Sequence, residues 1–168
     1  MQHINVKIFA RENVAVKAHD AINVFHRWIQ DGVEESLFDV ADYSHVPLGP
    51  GILLIGHDAF YSLDYREGRL GFLYNRRTVM EGSTEDKIRH AYDSALRACR
   101  RLEQEPEFAG KLHFDEGNFE IFVNDRLVAP NEESTWTVLR PEVESVFGAA
   151  NVKWRGASRD LFRVQVSV

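Results

Sequence analysis

A histidine and an aspartate, His57 and Asp58, stand in the middle of the otherwise apolar run PGILLIGHDAFYSLD, residues 50–64. An imidazole next to a carboxylate is the raw material of general acid–base chemistry and of metal ligation. Read as a single strand, the run sends alternate side chains to opposite faces. His57 then shares a face with Leu53, Ile55 and Tyr61, and Asp58 shares the other with Leu54 and Phe60. The two point apart unless a bulge at Gly56 intervenes, and His57 reads first as a structural imidazole held near Tyr61.

Just upstream, FDVADYSHVP spaces Asp39, Asp42 and His45 three residues apart, and the turn-rich PLGPG that follows can fold His45 back toward His57. This fold-back defines a pocket near residues 42–61. Its ligand-binding candidates are His45, His57 and Tyr61; its metal-binding candidates are Asp42, His45 and His57, a donor set suited to divalent iron, zinc or manganese. The spacing fits no HExxH, CxxC or EF-hand pattern, and aspartates that cap a turn at a strand end account for the same residues. Ser44 precedes His45 directly, too close for mutual hydrogen bonding, and there is no GxSxG elbow. PLGPG lacks the N–H groups and the lysine of a phosphate loop. No catalytic residue and no cofactor is assigned.

Basic residues form a second group. Arg66, Arg69, Arg76 and Arg77 lie on or near one hairpin, and Arg89, Arg97, Arg100 and Arg101 on one helix. Guanidinium groups bind phosphate or carboxylate in bidentate fashion. Glu67, Glu81, Glu85, Asp86, Asp93 and Glu103 are interleaved with them, which favours ion pairs on solvated faces. Trp28 and Trp136, with Arg126 in the turn VNDRLVAPN, are the candidates for a partner surface, because tryptophan and arginine are enriched at interfaces.

The elements that must position these residues follow from periodicity. HINVKIFA alternates as a half-buried strand. DAINVFHRWIQD has helical spacing, with Asp20 as a candidate cap and Gly32 as its stop. LFDVADY is a short strand, and residues 50–64 pair with 69–77 across a turn at YREGR, where Gly68 supplies positive φ. GSTEDKIRHAYDSALRACRRLEQE is the clearest helix, with Ser83 and Asp86 at capping-box spacing and a stripe of Ile88, Tyr92, Ala95, Cys99 and Leu102. Cys99 in that stripe is a buried, inert thiol. NFEIFVN is a strand. EESTWTVLRPEVESVFG is helical, capped by Asn131, with a kink expected at Pro141. NVKWRG and DLFRVQVSV are strands.

The order predicts an α+β fold: a largely antiparallel sheet with about three helices packed on it. It also suggests pseudo-duplicated β-α-β-β halves, residues 1–82 and 106–168, joined by the helix 83–105, all within a single domain spanning 1–168. A chain of 168 residues with 44% hydrophobic content can fill a core without disulfides or metal. The lone cysteine and the lack of a continuous apolar leader or span predict a cytoplasmic protein with no membrane association. A net charge of -6 speaks against a nucleic-acid partner. The favoured reading is a non-catalytic protein-interaction or assembly module, with a protein partner or as a homodimer. The alternative is a small-molecule or metal-binding protein or enzyme using the pocket near residues 42–61.

Overall fold

A computed structural model describes residues 1–32, 36–47, 49–149, 152–156 and 160–168. Its elements are β1 (Ile4–Ala10), α1 (Ala18–Asp31), β2 (Leu37–Tyr43), β3 (Gly51–Gly56), β4 (Ala59–Asp64), β5 (Gly71–Arg76), α2 (Thr84–Gln104), β6 (Phe114–Val123), α3 (Glu133–Phe147), β7 (Val152–Trp154) and β8 (Phe162–Ser167). The strands form one sheet in the order β2-β3-β4-β5-β1-β6-β8-β7. Every pairing is antiparallel. With three α-helices and eight antiparallel strands among the described residues, the fold is α+β.

The apolar run 50–64 is two strands, not one. Ile55 lies opposite Phe60 across the β3–β4 pair, which leaves His57 and Asp58 as the turn between them. The polar pair is thus punctuation that reverses the chain, the role short polar side chains take at turns. Backbone and side chain hold it in place: the Asp58 carbonyl accepts from the Arg77 amide at 2.8 Å, and its carboxylate accepts from the Thr78 hydroxyl at 2.7 Å. The β4–β5 pairing runs from Ala59 opposite Arg76 to Asp64 opposite Gly71, so only the second half of the run forms the hairpin expected across residues 65–69, while β3 pairs with β2 and β4.

The helix ends follow local chemistry. Ser83 and Asp86 form a reciprocal capping box at the start of α2. Gly32 ends α1 in the left-handed region, but the start of α1 falls at Lys17, with Asp20 inside the first turn. α3 begins after Glu132 and runs unbroken through Pro141. Pro141 and Thr137, whose carbonyl would have been its partner, are both exposed, so solvent can satisfy the lost hydrogen bond. Asn131 instead accepts from the Trp154 indole at 2.9 Å, tying the start of α3 to β7.

Strand alternation sorts the sheet into two faces. Val6 and Ile8 of β1, Tyr61 and Leu63 of β4, Phe72 and Tyr74 of β5, and Ile121 of β6 join the buried residues of all three helices in one core cluster. The alternate residues, Lys7, Phe9, Ser62, Asp64, Leu73, Glu120 and Phe122, are just as buried, yet lie outside that cluster, on the face that no helix covers.

Candidate functional site

Register brings these residues together. Lys7 of the central strand β1 lies between Leu73 of β5 and Glu120 of β6, and Leu73 in turn lies beside Ser62 of β4. One row along, Phe9 is opposite Gly71, and Gly71 is opposite Asp64. On the other side, Phe122 is opposite Arg163 of β8. The helix-free face therefore carries three ionisable groups that are nearly sealed from solvent: Lys7 is 5%, Asp64 0% and Glu120 3% exposed. Isolated charges cannot be buried at acceptable cost, so each must have partners.

Lys7 makes two hydrogen bonds and one longer ion contact. Its ammonium donates to the carbonyl oxygens of Arg69 at 2.8 Å and Arg66 at 3.3 Å, and lies 3.7 Å from Asp64. Asp64 also accepts from the Arg66 backbone amide and from its guanidinium, both at 2.7 Å. Together the two pin the tight turn 65–69 down on the sheet. Gly71 makes this possible, since a Cβ there would sit 2.6 Å from the Lys7 stem. Within the turn, Glu67 and Gly68 both take positive φ, 62° and 70°.

Glu120 performs the matching task on the other side. It accepts from Arg155 at 3.0 Å and lies 3.5 Å from the Arg163 guanidinium. Glu67 reaches across to the same two arginines, at 3.4 Å from Arg155 and in contact with Arg163. The space enclosed is a cavity of about 130 Å³ lined by Lys7, Phe9, Asp64, Arg66, Glu67, Arg69, Glu120, Phe122, Arg155 and Arg163. That is room for on the order of four waters or one compact polar group.

Two features leave binding capacity inside it. Arg69 makes no ion pair among the described residues; its guanidinium stacks 3.6 Å above the Phe9 ring, a cation–π arrangement that fixes the plane while leaving the N–H edge free. The Arg163 Nε is buried and has no hydrogen-bond partner among the described residues. The lining holds five cationic and three anionic side chains. An excess of positive charge in a chain whose net charge is -6 makes the cavity a local reversal of the protein's field.

Burial pushes the Lys7 ammonium below its ordinary range, partly offset by Asp64. Burial likewise pushes the Glu120 carboxyl up, against the pull of Arg163 and Arg155. An acid whose folded pKa is raised stabilises the fold below its unfolded value, about 4.3, and that contribution is lost as pH rises through the folded pKa. At neutral pH the ionised Glu120 is therefore a net burden. Glu120→Gln is expected to equal or exceed the wild type in stability at pH 7, with the difference shrinking as pH falls through the raised folded pKa toward about 4.3 and gone below it. Urea denaturation at several pH values measures this; a Gln variant weaker at pH 7 and recovering in acid would contradict it.

The residues singled out in the sequence fall elsewhere. Asp42 and His45 sit at one end of the β2–β3 pair, where Asp42 is opposite Ile52, whereas His57 is in the turn at the other end, beyond Gly56. The fold does not bring the three together, and the described residues contain no group of His, Cys, Asp and Glu able to hold a metal. Tyr61 is buried in the helix-side core, its ring 5.3 Å from that of Tyr74. A second cavity, about 310 Å³, does lie at the turn near residues 43–52, but Tyr43, Ser44, Val46, Pro47 and Ile52 line it, without His45, His57 or Tyr61. Trp28 is buried against Phe25 and Phe72, with Arg101 stacked on it, and offers no surface. Trp136 is half-buried and stacked on Trp154, and Arg126 is exposed. Cys99 is buried, its thiol pushed well up by desolvation.

Of the cavity residues, Arg66 and Arg69 stood out as basic residues in the sequence; Lys7, Asp64, Glu120, Arg155 and Arg163 did not. Their signal was a charge placed on the polar phase of a strand, which describes solvent-facing residues equally well. No known family model, curated protein or solved structure matches this chain, so the site is read from its own geometry.

Proposed function

We propose that this chain is a small-molecule-binding protein and that the ligand occupies the cavity on the helix-free face of the sheet. The observation that carries the reading is the set of sealed charges, Lys7, Asp64 and Glu120, arranged around a space that also receives the Arg69 guanidinium, which has no ion pair among the described residues. A sheet face needed only for folding is more stable with apolar residues there, because desolvating ion pairs offsets much of their attraction. Keeping a carboxylate whose ionised form is disfavoured fits a site where stability is given up for binding.

Native mass spectrometry of protein purified gently at low salt tests the reading. The expected result is a stoichiometric extra mass on the wild type that is absent from Arg69→Ala. A bare chain mass in both, with no small molecule recovered after denaturation, would count against it.

One observation supports the interaction reading as a second role. Leu127 is 96% exposed at the tip of the turn that follows β6, flanked by exposed Arg126 and Val128. Asp125 holds this tip rigid, its carboxylate accepting from the Leu127 and Val128 amides, both at 3.1 Å. We propose that the exposed apolar tip formed by Leu127 and Val128 docks on a second copy of the chain. If it does so, the wild type runs as a dimer at raised concentration and Leu127→Asp as a monomer.

A further inference from the structure

The two sides of the cavity are joined by Glu67. From the turn pinned by Lys7 and Asp64, its carboxylate crosses to Arg155 and Arg163 on the far side. The arginines are thus gripped twice, by buried Glu120 from the sheet and by Glu67 from above. The grips differ in kind. Glu120 is 4% and Glu67 51% exposed at the side chain, and an ion pair in contact with water contributes little. Glu67 also holds a left-handed φ of 62°, which a residue with a Cβ adopts only at a cost. The turn thus holds a strained residue so that a weak, solvent-accessible carboxylate reaches the arginines.

Resting on the reading of the cavity as a ligand site, we infer that the Glu67 carboxylate is a placeholder for the ligand's own anionic group, and that this group is a phosphoryl dianion. On binding, the phosphoryl oxygens replace Glu67 on Arg155 and Arg163, and Arg69 closes on the remaining oxygens from its seat on Phe9. Charge supports the choice: the lining carries an excess of two positive charges even with Glu67 counted. Geometry supports it as well. Guanidinium forks match phosphate oxygens in pairs, and three of them serve a tetrahedral oxyanion better than a planar carboxylate with two oxygens. The Arg163 Nε, on the same guanidinium, is buried and has no hydrogen-bond partner among the described residues.

Isothermal titration of the full chain with inorganic phosphate at pH 8 and low ionic strength tests this, with acetate as the singly charged comparison. Glu67→Gln is expected to bind phosphate roughly tenfold more tightly than the wild type, a change of about 1.4 kcal/mol. Glu133→Gln, which removes a carboxylate on α3, is expected to match the wild type and so controls for net charge. Arg163→Gln and Arg69→Ala are expected to lose binding. Glu67→Gly removes the carboxylate and relieves the strained φ, so it serves as a second variant should Glu67→Gln be poorly folded. Equal phosphate affinity in Glu67→Gln and wild type, with loss in Arg69→Ala, overturns the placeholder and leaves the cavity reading intact. Acetate binding as tightly as phosphate overturns the dianion. Phosphate affinity unchanged in Glu67→Gln, Arg163→Gln and Arg69→Ala alike places binding elsewhere and overturns both.

Discussion

Asp64→Ala is expected to lower stability by about 3–5 kcal/mol, the cost of breaking a buried ion pair by removing one partner. Asp64 has no solvent exposure, and it is the counter-charge of both Lys7 and Arg66. Without it the Lys7 ammonium stays buried with only carbonyl oxygens as partners, and the turn 65–69 loses the side chain that accepts the Arg66 amide. Lys7→Met is expected to cost less, because a chain of similar length fills the space and Asp64 keeps Arg66. The double variant Asp64→Ala/Lys7→Met should then be more stable than Asp64→Ala alone, and the non-additivity measures the pair. Urea unfolding of the four proteins decides it. A loss below about 1 kcal/mol for Asp64→Ala, the range of exposed pairs, would show that water reaches the cluster and that the charges are not sealed.

Trp28→Ala is expected to cost about 3–5 kcal/mol, as large-to-small changes at buried aromatic positions do. Its ring packs 5.6 Å from Phe25 and 6.5 Å from Phe72, so its removal opens a cavity between α1 and the sheet. The indole N–H also donates to Glu105 at 2.6 Å, linking α1 to the end of α2. Trp28→Phe keeps most of the packing and loses that hydrogen bond, and is expected to cost about 1–2 kcal/mol. Thermal and urea unfolding check both. A Trp28→Ala variant as stable as wild type would mean that Trp28 is not a core residue.

The elements were largely legible in the sequence, because each rests on local chemistry. The capping box of α2, the stripe that buries Ile88 and Cys99, the Gly32 stop of α1 and the hairpin closing at residues 65–70 all depend on neighbours within a few residues. The reading of 50–64 as one strand failed for an instructive reason. Alternation continues on both sides of a two-residue turn, so the apolar pattern alone does not reveal that the chain reverses at His57 and Asp58. The polar pair itself was the turn signal.

The cavity was not legible, for a different reason. Its residues come from β1, β4, β6, the 65–69 turn and the β7–β8 end, and they meet because β1 sits at the sheet centre, with β5 on one side and β6 on the other. Strand order is a long-range property that alternation does not encode. Lys7 in HINVKIFA therefore looked like any solvent-facing lysine, although only 5% of its surface is exposed. Arg66 and Arg69 showed the right chemistry, but the interleaved acids, Glu67 among them, suggested a solvated ion-pair face. The fold turns that same cluster inward, over Phe9.

The most direct test of a ligand site in this cavity is nitrogen-15 NMR of the arginine Nε–H groups, titrated with inorganic phosphate and then citrate. Binding in the cavity predicts saturable shifts of the Arg69 and Arg163 signals together with the backbone amides of residues 66–69, while Arg100 and Arg140, paired with Glu116 and Glu144 on other surfaces, stay unchanged. Shifts spread evenly over all arginines, or confined to Arg100 and Arg140, would contradict it.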